Sequence, residues 1–219
     1  YNKGFEQVNG EFVVFLDADN ALMPEALAQI ANAFSDDVVK VHYRMRLISQ
    51  QGEDLNIVLP HHLDEGDCGR HLIAHGALYK SPPASGNAYR VSALRQIFPI
   101  PVNTIEKHSA DFYCIYGIAL LGNVAAIQQP LFQYRLHSLE IDIRHRLSFG
   151  NALNHYDLHD IALSRWMLFR QWVQTFTRGR VRLPLRFHDF TQQKLFLSLA
   201  ALHASTMRQR FFVFKQHFF

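Results

Sequence analysis

The chain has 219 residues, 48% hydrophobic and 19% charged, which excludes a disordered or low-complexity protein and leaves room for a core and an appendage. Its net charge of +3 hides an asymmetry: residues 1–143 carry 10 basic and 16 acidic side chains, and residues 144–219 carry 12 and 3. An acidic front and a basic, aromatic tail divide the chain into regions 1–143 and 144–219 with different partners. No apolar run approaches the roughly 18 residues of a membrane span, and no stretch reads as a signal peptide. Cys68 and Cys114 have neither CxxC nor finger spacing and read as ordinary reduced thiols of a cytosolic protein. The opening Tyr1-Asn2-Lys3-Gly4, without an initiator Met, reads as part of a longer protein.

In chain order, residues 1–10 suit a helix end and a turn at Asn9-Gly10. Phe12-Val13-Val14-Phe15-Leu16 then forms a short apolar run that ends in Asp17-Ala18-Asp19. Such a run predicts a buried strand, parallel to its neighbours, with acids at its carboxyl end. In open α/β sheets ligands bind at that end, and two acids there can hold a divalent cation that in turn holds phosphates. The competing reading is that Asp17 and Asp19 only end the strand, with Asn20 capping a helix whose first turn holds Pro24 and Glu25.

Apolar spacing predicts a helix over 24–34 and a strand over 38–48, with Val39, Val41, Tyr43, Met45 and Leu47 on one face. Residues 50–53 form a turn, and 54–80 are mixed, with His71 and His75 spaced i,i+4. Two histidines without a third ligand read as solvated surface groups. Ser81-Pro82-Pro83-Ala84-Ser85-Gly86-Asn87 is a turn-rich loop; 88–97 reads as a strand end and a short helix broken by Pro99. Residues 109–121 have helical spacing with Asp111 in the first turn and Gly122 as a C-cap. Short strands follow at 124–127 and 131–135, and helical pattern dominates beyond 143, interrupted near 178–184.

This order of features resembles the family 2 glycosyltransferases. Asn2-Lys3-Gly4, Gly10-Glu11-Phe12 and Phe15-Leu16-Asp17-Ala18-Asp19 are similar to the stretch that leads into that family's DxD motif. Ser85-Gly86-Asn87-Ala88-Tyr89-Arg90 with Ser92-Ala93-Leu94 is similar to the segment lining the donor and acceptor site. Ala110-Asp111-Phe112 resembles the acidic helix start that supplies the base, and Gly122-Asn123-Val124 with Tyr134-Arg135-Leu136-His137 resembles the closing strand. The likeness covers about residues 1–140.

The resemblance implies an α/β protein of GT-A fold, Rossmann-like, with a mostly parallel sheet flanked by helices and an α-helical C-terminal region. The family's first, nucleotide-binding strands are expected before Tyr1. The implied activity is inverting, metal-dependent transfer of a sugar from a nucleotide-diphosphate donor to a saccharide or lipid-linked acceptor, in cell-surface glycan synthesis. By resemblance Asp19 ligates Mg²⁺ or Mn²⁺ and His137 is a further ligand. Asp17 contacts the donor, Arg135 approaches the diphosphate, and Arg90 reaches phosphate or pairs with an acid. Asp111 is the implied general base, against the competing reading of a helix-terminal charge stabilised by the macrodipole.

The tail repeats Trp166, Phe169, Trp172, Val173 and Phe176 at helical spacing, with Arg165, Arg170 and Gln174 between them. Packing on the first region or on a second copy comes first, contact with anionic lipid second. Nucleic acid is not expected as a partner. The expected location is the cytoplasm, extending to the inner face of the plasma membrane. The alternative from another class is a non-catalytic, glycosyltransferase-like module that binds a partner or membrane through its tail.

Overall fold

The structure is a computed structural model and describes residues 1–101, 110–136 and 155–185, with the backbone alone for 155–164. The elements in order are α1 (Asn2–Phe5), β1 (Phe12–Val14), β2 (Ala21–Leu22), α2 (Ala26–Asn32), β3 (Val38–Ile48), β4 (Asp54–Leu59), α3 (Cys68–His75), β5 (Asn87–Arg90), α4 (Val91–Ile97), α5 (Ala110–Gly117), β6 (Asn123–Arg135) and α6 (His155–Phe176). Single turns of 3₁₀ helix precede β5 and follow α5.

One sheet runs β1-β5-β3-β6-β2, with β4 beside the far end of β3. The α/β class is as expected, but the sheet is mixed rather than mostly parallel: among the described strands only β3 and β6 pair in parallel. β1 corrects the sequence reading twice, being half-buried and pairing antiparallel to β5, with Val14 opposite Ala88. Because β5 is itself antiparallel to β3, the strands β1, β3 and β6 still point the same way. The acids after β1 therefore lie toward the carboxyl ends of three strands even though β1 has no parallel neighbour.

β3 is the centre of the sheet and is covered on both faces. Val41, Tyr43, Met45 and Leu47 pack with Ala26, Ile30, Leu131 and Phe132. The opposite face, which alternation would leave polar, buries Lys40 and His42. The segments 124–127 and 131–135 form one strand, β6, whose pairing with β3 is irregular between Ile127 and Phe132. Gly122 is not required for a left-handed cap: a Cβ there would meet a Val39 side-chain carbon at 2.6 Å and the Asp37 carbonyl at 2.8 Å.

Trp166, Phe169, Trp172 and Val173 of α6 are buried in the same core as α5 and α4. The Trp172 ring lies edge-on to Tyr113 at 5.0 Å, and Phe169 edge-on to Phe112 at 5.2 Å. The aromatic stripe of the tail is thus packing surface in this part of the chain. Residues 186–219 lie outside the described residues, and no helix among those described is long and apolar enough to cross a membrane.

Candidate active site

The acidic loop between β1 and β2 is held from below by one buried hydroxyl. Ser85 is the middle residue of the 3₁₀ turn before β5 and is fully buried. Its Oγ donates to Asp17 Oδ2 at 2.9 Å and accepts from the Asp17 backbone N–H at 3.0 Å and from Asn20 Nδ2 at 2.9 Å. One donor and two acceptor sites are then filled, which is the capacity of a hydroxyl. The Ser85 carbonyl in turn accepts from the Tyr43 hydroxyl, 2.9 Å away on β3. Asp17 is tied to the sheet while its side chain and that of Asp19 remain exposed.

Asn20 does not cap α2, which begins at Ala26 without a side-chain cap. Its Oδ1 accepts from the Arg135 backbone N–H at 3.1 Å, joining the acidic loop to the end of β6. Arg135 reinforces that joint. Its Nε donates to the Asp19 carbonyl at 3.1 Å, and its Nη1 to the carbonyls of Gln50 at 3.0 Å and Ser49 at 3.3 Å. The structure thus places Arg135 beside the acids, as a clamp on three backbone carbonyls.

Arg90 is placed elsewhere. It pairs across from Phe12, at the opening of β1 rather than at the acid end. Its three guanidinium nitrogens bond the Val38 carbonyl at 2.9 Å, the Ser35 carbonyl at 2.7 Å and the Glu11 carboxylate at 3.0 Å. It also lies over the Phe12 and Phe34 rings, which stack 4.0 Å apart. Of the two readings of Arg90, pairing with an acid is the one the structure shows: its donors are used at the opening of β1, away from Asp17 and Asp19. His137 lies outside the described residues.

Asp111 opens α5, half-buried, with its Oδ1 accepting from the Phe112 N–H at 2.9 Å. Burial pushes its carboxyl above the usual aspartate range and the Asp17 charge adds to this, while the Phe112 N–H and the Arg165 charge act the other way. Asp111 and Asp17 therefore feel one another across 94 positions of sequence. The Tyr1 hydroxyl is pushed up by burial and then by both acids, and the Tyr134 hydroxyl by burial, Asp19 and Asp17. The Tyr1 and Tyr134 hydroxyls thus lie within electrostatic reach of these acids.

Among the described residues no group of three or more His, Cys, Asp or Glu side chains converges as a ready-made metal cage. The donor set nevertheless suits a hard divalent ion. Mg²⁺-type sites commonly use one or two carboxylates and take their remaining ligands from water and substrate phosphates. Asp19 and the Oδ1 of Asp17 offer that arrangement. His71 and His75 are exposed on α3, with ring centroids 6.3 Å apart, as the sequence suggests. A groove of about 410 Å³ between Met23, Gln29, Arg46 and Pro130 contains none of the candidate site residues.

Sequence reasoning missed Ser85 and Asn20 as the supports of Asp17. Ser85 lay within the quoted motif, but a serine in a Pro-rich turn has no spacing that reveals a contact 68 positions away.

Residues 1–98 match the family described as glycosyl transferase family 2. It is 35% identical over 141 residues to an uncharacterized glycosyltransferase from Nostoc sp., covering 63% of this chain and 43% of that protein. The chain thus spans less than half the length of this curated relative. The crystal structure of S. aureus TarS aligns over 95% of this chain and 36% of that one, at 14% identity and a TM-score of 0.44.

Proposed function

We propose that the protein is an inverting glycosyltransferase that moves a sugar from a nucleotide-diphosphate donor to an acceptor hydroxyl. The observation that carries this reading is the exposed acid pair Asp17 and Asp19, held on the side of the carboxyl end of β1 by Ser85 and clamped to β6 by Arg135. Asp111 takes the proton of the acceptor hydroxyl as that oxygen bonds the anomeric carbon and the carbon–oxygen bond to the diphosphate breaks. A single base and a single displacement invert the anomeric centre. The raised carboxyl makes Asp111 a stronger base than an exposed aspartate. Asp17 and Asp19 hold Mg²⁺ or Mn²⁺, which when bound neutralises the charge of the departing diphosphate. Arg135 keeps the acidic loop against β6 so that both carboxylates face the donor.

The acceptor in this reading is a saccharide or a lipid-linked glycan of the cell surface. Nucleotide sugars place the reaction in the cytoplasm, and a lipid acceptor places it at the inner membrane face. The non-catalytic alternative is weakened by the burial of Trp166, Phe169 and Trp172, which withdraws these rings from any partner or membrane.

Calorimetry of UDP and GDP, each with and without Mn²⁺, tests the donor site directly. Metal-dependent binding of one nucleotide supports it, and loss of that binding in Asp19→Ala assigns the ligand. Asp111→Asn is expected to bind donor normally and to stop transfer. Because only the carboxylate accepts a proton, turnover should rise with pH through a value above the ordinary aspartate range. Normal turnover by Asp111→Asn would move the base elsewhere.

A further inference from the structure

Beneath the acidic loop lies a buried polar chain that neither packing nor the chemistry above explains. Lys40 on β3 is fully buried. Its Nζ donates to the Tyr79 hydroxyl at 2.9 Å and to Ser81 Oγ at 2.8 Å. Among the described residues no carboxylate pairs with it. The Tyr79 hydroxyl donates to the Ile115 carbonyl on α5, and the Ser81 hydroxyl lies 2.9 Å from Asn87 Oδ1. The Tyr79 proton thus goes to an oxygen that can only accept, and the Ser81 proton to Asn87 Oδ1 or to His42 Nδ1, 3.3 Å away, so both hydroxyl oxygens are open to accept from Lys40.

The next link fixes the turn that presents Ser85. Asn87 is fully buried, and its Nδ2 donates to the carbonyls of Pro83 at 2.8 Å and Pro82 at 3.2 Å. These bonds shape residues 82–86, and Ser85 from that turn grips Asp17 at both its N–H and its carboxylate. Gly86 seats the turn on the sheet, since a Cβ there would meet Pro82 at 2.6 Å and Phe132 at 2.9 Å.

We propose that Lys40 is a positioning residue of the donor site, holding Ser81 and, through Asn87, the 82–86 turn whose Ser85 orients Asp17. This rests on Asp17 being a donor-site residue, as argued above. An apolar side chain would fill the same volume on β3 without the desolvation cost of a buried amine. What it would not supply is two donors to two hydroxyls whose own protons point away. A buried lysine kept at such a cost is explained by the geometry it imposes on the turn.

The groups facing Lys40 fit this role. His42 lies beside it on β3, Cys68 faces it from α3 and Cys114 from α5. His42 Nε2 faces the Asp64 carbonyl at 2.8 Å, so that nitrogen carries the proton. Burial holds both Lys40 and His42 well below their usual ranges.

Amide hydrogen exchange on the whole chain without nucleotide tests the coupling, comparing wild type with Lys40→Met and Ser81→Ala. Exchange over 15–20 and 82–88 should accelerate by about tenfold or more in both variants, while the β3–β6 ladder at 123–127 keeps the wild-type rate. Unchanged protection over 15–20, or an equal loss across the ladder, overturns the proposal; the second outcome would make Lys40 a general stability residue. If Lys40→Met does not fold, Ser81→Ala, which alters a half-buried hydroxyl, decides alone. Mn²⁺-dependent UDP and GDP binding, measured in parallel, separates the two readings. Absence of binding in wild type counts against the donor site, whereas the exchange pattern judges the coupling.

Discussion

The Ser85 hydroxyl grips Asp17 twice, donating to its carboxylate at 2.9 Å and accepting from its backbone N–H at 3.0 Å. A carboxylate held in this way has one oxygen oriented by the protein and the other left for a ligand. The backbone bond also sets the direction in which the acidic loop leaves β1.

Removing that grip should separate binding from folding. Ser85→Ala leaves the Asp17 N–H and the Asn20 amide to water, both near the surface, at a cost of about 1–2 kcal/mol in urea unfolding. Metal-dependent nucleotide affinity should fall by about tenfold or more, because Asp17 loses its orientation. Unchanged affinity in the calorimeter would show that the loop orders itself without Ser85.

Arg135 should behave as a clamp. Its planar fork reaches three backbone carbonyls on two segments, which a lysine cannot reproduce. Arg135→Lys and Arg135→Met are both expected to lose about 1–3 kcal/mol of stability. A Lys variant as stable as wild type, but with weaker nucleotide binding, would instead mark Arg135 as a phosphate ligand.

The α6 packing makes a larger prediction. Trp172 is nearly buried against Tyr113, and a Cβ at Gly117 would sit 2.6 Å from its ring. Trp172→Ala should cost about 3–5 kcal/mol through cavity formation. Gly117→Ala should cost about 1–3 kcal/mol through overpacking. If both unfold in urea like wild type, α6 is not part of the core of residues 1–136.

Lys40 should leave a signature in the pH dependence of stability. Burial depresses its basicity in the folded state, so the unfolded chain binds the extra proton between that depressed value and the ordinary lysine value. Stability must then rise with pH across that window, by at most about 1.4 kcal/mol per pH unit for one proton. The slope of thermal stability between pH 8 and 10 should be steeper in wild type than in Lys40→Met. Equal slopes would show that Lys40 is charged in the folded protein.

Much of the local architecture was legible in the sequence. The 38–48 strand follows from alternation in Val41, Tyr43, Met45 and Leu47, and the structure places β3 over that same range; Val39, expected on the same face, packs in the opposite core beside a register shift. The acid pair at a strand end, the turn-rich 81–87 loop and Asp111 at a helix start were each visible from residue type and spacing. The antiparallel pairing of β1 was not: a short apolar run carries no information about its neighbour's direction. For Arg90 the sequence left phosphate and an acid open as partners, and the structure shows the acid, Glu11, because sequence gives a guanidinium's charge but not which end of a strand its partners occupy.

By itself, then, the sequence determined most of the elements, the family that residues 1–98 match and the residue types offered for the chemistry, because propensity, periodicity and motif order are local properties of the chain. Only the tertiary structure decided which groups meet. Ser85 comes to Asp17 from 68 positions away, Arg135 to the Asp19 carbonyl from 116, and Lys40 loses its water entirely. Hydrogen bonds require atoms about 3 Å apart in a set orientation, and burial is a property of everything packed around a side chain. Neither is written in the neighbours along the chain; both arise when the sheet closes and its two faces are covered.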